Sequence, residues 1–139
     1  MLETHGKKLR FKYYLVGDVL FIENEKGRIH KYPVDEIISV LEWLYDKFGS
    51  NWFPLANNVQ KLGNGSEKLG LGVSILNQSP GNITHAQGSS YLGVVLNHIG
   101  IFRWNERRKG IKWQILISNI SKNELLLLLN PQTINKIEQ

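Results

Sequence analysis

Arg107-Arg108-Lys109 is the densest run of positive charge in this sequence, and it lies between two segments patterned as β-strands. Residues 101–117 hold Arg103, Arg107, Arg108, Lys109 and Lys112 against Glu106 alone, which is four of the chain's five net positive charges. Guanidinium and ammonium groups grouped in this way neutralise phosphate oxygens, a contact that needs charge and geometry but no base sequence. Just before this stretch, Gln87, Ser89, Ser90, Asn97 and His98 offer the donors and acceptors with which base edges are read. Tyr91 can face either way. A basic turn beside a polar-lined segment points to a polyanion partner. The plain alternative is a solvated turn.

Other chemistries find less support. The chain has no cysteine, which removes disulfides, thiolate metal sites and cysteine nucleophiles together. His5, His30, His85 and His98 lack the spacing of a zinc site. Gly65 to Gly70 has the first spacing of a phosphate loop, but Leu71-Gly72 stand where lysine and a hydroxyl residue are needed. The dinucleotide fingerprint that starts at Gly63 and Gly65 fails at Lys68. Gly88-Ser89-Ser90-Tyr91-Leu92 misses the nucleophile elbow at its last position, and nothing in the spacing favours a Ser90–His85–Asp35 set. Asp18, Glu23, Glu25 and Lys26 come nearest to a nuclease cluster, yet they sit among turn formers and read as solvated charge. The expectation is a protein with no catalytic residues, metal or cofactor.

The elements that position these residues follow from periodicity. Leu9 to Leu15 opens with apolar/polar alternation, Val19 to Ile22 is a compact apolar run, and Arg28 to Tyr32 alternates again. Gly17-Asp18 and Asn24 to Gly27 supply the turns, so residues 9–32 predict a three-stranded antiparallel meander. Ile37, Ile38, Leu41, Leu44, Tyr45 and Phe48 recur at helical spacing after Pro33 and before Gly49. Asn51 to Leu55 is either a short strand or a loop. Ala56 to Leu62 and Glu67 to Asn77 both compete for the next helix, and Gly70 and Gly72 each cost the second about 1 kcal/mol. Residues 88–99 read as a helix broken by Gly100, followed by a ribbon of residues 101–104 and 111–117. Ser121 and Glu124 match a capping box ahead of a leucine-rich helix that ends at Asn130-Pro131, after which residues 132–139 fray. Leu125 to Leu129 is apolar on every side and must pack on its own domain or on another copy.

Three helices followed by a two-stranded ribbon with a basic tip resemble a winged-helix domain. The resemblance spans residues 34–117 and rests on element order and the charged hairpin. It implies residues 35–48 as the first helix, a second within 54–76, and a third at 88–99 lying in the major groove. It also implies that the wing at 101–117 meets phosphates or the neighbouring groove, and that the terminal helix can make dimer contacts. Trp104 and Trp113 fall on the paired strands. They either stack on unpaired bases, at about 1–3 kcal/mol per base, or take the more ordinary role of a cross-strand pair covering the core.

The whole chain is consistent with this. Its 139 residues, 42% hydrophobic and 21% charged, suit a globular domain large enough to bury a core. Met1 to Lys8 contains no signal-type apolar run, and no apolar stretch approaches the roughly 18–20 residues of a membrane helix. The sequence therefore predicts an α+β protein: a β-meander at 1–33, a winged-helix-like core at 34–117, and a helix and tail at 118–139. The expected function is that of a small basic cytoplasmic nucleic-acid-binding protein, duplex DNA ahead of RNA, with a homodimer through the C-terminal helix as one option. The alternative is a protein–protein interaction module of the same fold.

Overall fold

The computed structural model describes residues 1–56 and 69–130. The helix option at 57–62, Gly63, Gly65 and the tail from residue 131 lie outside these.

Alternation in the N-terminal third produces an antiparallel sheet of β1 (Leu2–Glu3), β2 (Arg10–Val16), β3 (Val19–Asn24) and β4 (Ile29–Pro33), paired in that order. Phe11, Leu20, Ile22, His30 and Tyr32 are buried on its inner face. The meander thus has four strands rather than three. Two residues are too short to carry a periodic signal, and β1 is held by Thr4: its backbone N–H donates to the Leu9 carbonyl, and its hydroxyl oxygen accepts from the Leu9 N–H, each at 2.9 Å.

Pro33 caps α1 (Val34–Phe48), which buries Val34, Ile37, Val40, Leu41 and Leu44 along one stripe. Gly49, at φ 57°, donates its N–H to the Tyr45 carbonyl and ends the helix. β5 (Phe53–Pro54) follows, then α2 (Leu71–Gln78), which falls in the later of the two candidate segments. Gly70 precedes α2 because a Cβ there would run into the Pro54 carbonyl and Ala56. α3 (Ile83–Gln87) starts at Asn82, whose side chain accepts from the His85 N–H at 3.1 Å. α4 (Ser89–His98) leads into β6 (Phe102–Trp104) and β7 (Lys112–Ile115), and a small sheet forms in the order β5-β7-β6, antiparallel throughout. α5 (Lys122–Leu129) closes the described chain with both bonds of its capping box formed. The fold is α+β: a four-stranded antiparallel sheet, then helices and a three-stranded sheet. Among the described residues no helix is long and apolar enough to cross a membrane.

One continuous cluster of buried side chains runs from Phe11 in β2 to Leu129 in α5. The N-terminal strands therefore pack on the helices. α4 lies inside this cluster, with Tyr91 against Phe11 and His30 of the meander on one side and Gly93 against Trp113 of the ribbon on the other. Seven of its ten residues are buried. This corrects the expectation of an exposed groove-reading helix at 88–99. Leu92, Val94, Val95 and Leu96 leave it almost no polar face, and a helix apolar all round goes inside. α5 packs on α1 through buried Leu125 and Leu129, while Leu127 stays exposed.

Gly93 has no room for a side chain, because a Cβ there would overlap the benzene half of the Trp113 indole. Gly93→Ala is expected to destabilise the fold by about 1–3 kcal/mol, the usual cost of overpacking. Pairing it with Trp113→Leu should recover part of the loss relative to Trp113→Leu alone, as read from urea unfolding midpoints. Additive losses in the double variant would place the clash elsewhere.

Candidate nucleic-acid interface

The loop between β6 and β7 owes its shape to Asn105. Its side-chain oxygen accepts from the N–H groups of Arg107 and Lys112, both at 3.2 Å, and its amide donates to the Gly110 carbonyl at 3.1 Å. Glu106 (φ 61°) and Gly110 (φ 71°) make the two left-handed corners. The Trp104 indole N–H donates to the Arg107 carbonyl at 3.3 Å. These bonds hold the tip in one conformation and leave Arg107, Arg108 and Lys109 exposed.

The N-terminal turn sits against this tip. His5 stacks on Trp104 with ring centroids 3.8 Å apart and planes 5° from parallel. A Cβ on Gly6 would lie 3.3 Å from the Arg108 carbonyl. Between the turn, the tip and the start of α4 opens a cleft of about 780 Å3. Arg108 and Lys109 line it from the ribbon, Lys7 from the N-terminal turn, Arg28 from the β3–β4 turn, and Gln87 and Ser90 from the helices. No carboxylate is among the described lining residues. None of the four cations has a carboxylate partner within 4.0 Å among the described residues. Tyr91, Trp113, His5 and His30 form the aromatic wall. Trp113 is fully buried, yet its Nε1 has no hydrogen-bond partner among the described residues, and neither has His5 Nε2.

The structure thus brings together four of the expected site residues: Gln87, Ser90, Arg108 and Lys109. The others fall elsewhere. Arg107 is at the tip but outside the cleft lining. Arg103 points across the ribbon with its guanidinium 5.9 Å from the Trp52 ring centroid, and it shares a second depression with Asn97. Lys112 is exposed opposite Pro54. Asn97 is engaged internally, donating to the Phe102 carbonyl at 3.0 Å. His98 is exposed at the far end of α4, edge-on to Tyr13. Ser89 is fully buried and cannot reach a ligand, which corrects its place among the base-reading candidates. Trp113 likewise belongs to the core, so base stacking on its face is closed, while Trp104 is covered by His5.

No Ser90–His85–Asp35 set forms. His85 Nε2 lies 2.8 and 3.0 Å from the two oxygens of Glu36, Ser79 donates to the same carboxylate at 3.1 Å, and Asp35 pairs with Lys122 at 3.2 Å. Tyr32 donates its hydroxyl to the His85 carbonyl at 2.7 Å. This network ties α1 to the α2–α3 segment. Among the described residues no group of three or more His, Asp and Glu is placed to hold a metal ion.

Sequence reasoning missed Lys7, Arg28, His5 and His30. They come from turns and strands that are unremarkable in isolation. The available signal was topological: in an antiparallel meander the β1–β2 and β3–β4 turns fall at the same end of the sheet, as the Glu25 N–H to Arg10 carbonyl bond of 3.2 Å shows. No protein-family model, curated protein or solved structure matches the chain.

Burial pushes the His5 pKa from its ordinary 6.5 down to about 4. His30 is lowered as well, first by burial and then by the charges of Arg28 and His85. The unfolded chain protonates these imidazoles near pH 6.5, whereas the folded chain resists. Their contribution to stability is therefore complete above that pH and is lost as the pH falls from about 6.5 towards 4. Urea midpoints are expected to drop between pH about 7.5 and about 4.5. His5→Phe, which keeps a ring on Trp104, should shrink that drop, and an unchanged drop would remove His5 from the account.

Proposed function

We propose that the chain is a nucleic-acid-binding domain of winged-helix type that holds the sugar–phosphate backbone with its ribbon tip. Helices α1, α2 and α4, with the short α3 inserted before α4, followed by the β6–β7 ribbon and its basic loop, support the fold assignment. The observation that carries the function is the convergence of Arg108 and Lys109 with Lys7 and Arg28 around one cleft at the start of α4, with no carboxylate among the described lining residues. Field lines from such a group reach a polyanion over roughly a Debye length and concentrate it at the cleft mouth. Because α4 is enclosed, the contact is led by phosphate and tolerant of sequence. Gln87 and Ser90 are the polar side chains of the original set that accompany the cations into the cleft.

Replacing Arg107, Arg108 and Lys109 together by alanine is expected to weaken nucleic-acid binding and to flatten the dependence of log affinity on log salt by up to about 3. Filter binding across a salt series measures this, and an unchanged slope would remove the tip from the interface.

A second reading, an interaction module, is favoured by the groove of about 270 Å3 between α1 and the β7–α5 connector, where Ile38, Leu41, Tyr45, Ile117 and Ile120 are flanked by Glu42, Asp46, Ser118 and Asn119. Leu116 and Leu127 are exposed large apolar side chains following β7 and on α5. If a second copy docks here through α5, sedimentation equilibrium shows a dimer that Leu127→Glu dissociates. A monomer at every concentration rejects this dimer.

A further inference from the structure

The cleft has more room than a grip on duplex phosphate requires. A backbone contact needs only cations at a surface. Here the cations line about 780 Å3, within the roughly 300–1,000 Å3 of pockets that enclose small ligands. Its lining is graded. Lys7, Arg28, Arg108 and Lys109 are all exposed and form the charged part. Tyr91, His30 and Trp113, all buried, supply the aromatic part, joined by the apolar Leu9, Leu55 and Ile111. Trp113 Nε1–H lies in the core at the back of this wall, with no partner among the described residues.

Cations alone would suit any small anion, and an aromatic wall alone would suit any apolar ring. The combination suits a ligand with a dianionic head and a flat heteroaromatic body carrying acceptors. We infer that the cleft binds a nucleoside phosphate, its phosphate held by Lys7, Arg28, Arg108 and Lys109 and its base lodged against the Tyr91–His30 wall. This rests on the nucleic-acid reading above and narrows it: the nucleotide is unpaired, because a base inside a duplex stack enters a pocket only after extrusion costing a few kcal/mol. The same chemistry is offered by a free nucleotide and by an unpaired strand end.

The test uses the full chain and three probes at fixed salt: adenosine 5′-monophosphate, a 5′-phosphorylated single-stranded oligonucleotide, and a blunt duplex with the same number of phosphates. The single strand is expected to bind at least about tenfold tighter than the duplex, the range that base stacking supplies. Lys7→Ala with Arg28→Ala should weaken both probes through lost phosphate contacts, and the single strand by a factor at least about tenfold larger than the duplex. Lys31→Ala with Lys47→Ala, equal in charge but away from the cleft lining, should alter neither. Ser90→Trp plugs the cleft without removing charge and is expected to abolish the single-strand preference; circular dichroism confirms that each variant is folded. Competition by the free nucleotide shows that the cleft accepts it alone. Failure to compete, together with weakened binding on removal of the 5′-phosphate, assigns the cleft to strand ends. Equal affinity for duplex and single strand, reduced alike by the Lys7 and Arg28 substitutions, would overturn the inference and leave the phosphate grip standing. No binding of any probe would overturn both.

Discussion

The contact between Trp113 and Gly93 is the constraint on which the rest of the molecule depends. An indole can approach a helix this closely only where that helix lacks a Cβ, and α4 supplies the gap at Gly93. The indole then meets Phe53 and Phe102 at ring separations of 6.4 and 6.0 Å, and Phe53 meets Phe102 edge-on at 5.1 Å. Offset and edge-on aromatic pairs of this sort add to the hydrophobic gain of burying the rings. The three-stranded sheet is thereby fixed to α4, and its loop is carried to the N-terminal end of that helix. Without this seam the basic tip would have no defined position relative to Lys7 and Arg28.

The second constraint comes from the meander. By covering the opposite face of α4 it changes what the helix can do. A helix between two sheets is a floor, and the groups that meet a ligand must come from the edges around it. Gly88 marks where the meander closes on the helices, since a Cβ there would collide with the Tyr32 hydroxyl and lie 2.8 Å from His30 Nδ1. Four cations gathered with no carboxylate partner among the described residues oppose folding through mutual repulsion, although exposure and salt keep the cost small.

How much of this was legible in the residues varies by element, for physical reasons. α1 was legible because its apolar residues recur at helical spacing between Pro33 and Gly49, and α5 because Ser121 and Glu124 form a box that the structure completes. Strands β2 to β4 follow from alternation. β1 was not legible, because two residues carry no period. At α2 the helical cost expected of Gly70 does not arise, because the helix starts at Leu71 and Gly70 sits just before it, where a Cβ would run into the Pro54 carbonyl and Ala56. At α4 the sequence held a signal that deserved more weight: apolar residues on every side and no lysine or arginine, both pointing inward. The tip charges at Arg108 and Lys109 were readable as charge, but their neighbours, far apart in the chain, were not: strand pairing within the meander brings Lys7 and Arg28 to one end of that sheet, and they meet the ribbon, which belongs to a separate sheet, only through packing such as His5 on Trp104.

The same separation has a consequence for how the molecule is built. The walls of the cleft come from residues 4–9, 24–30, 87–91 and 108–113 together with Leu55, so no contiguous stretch contains the cleft. Contacts of such long sequence separation form after their loops have closed, and chains dominated by them fold slowly. The cleft is therefore a property of the completed tertiary structure. An excised ribbon would keep its charge and lose its pocket, and any excursion that lifts the N-terminal turn would dismantle the cavity while most helices remain intact.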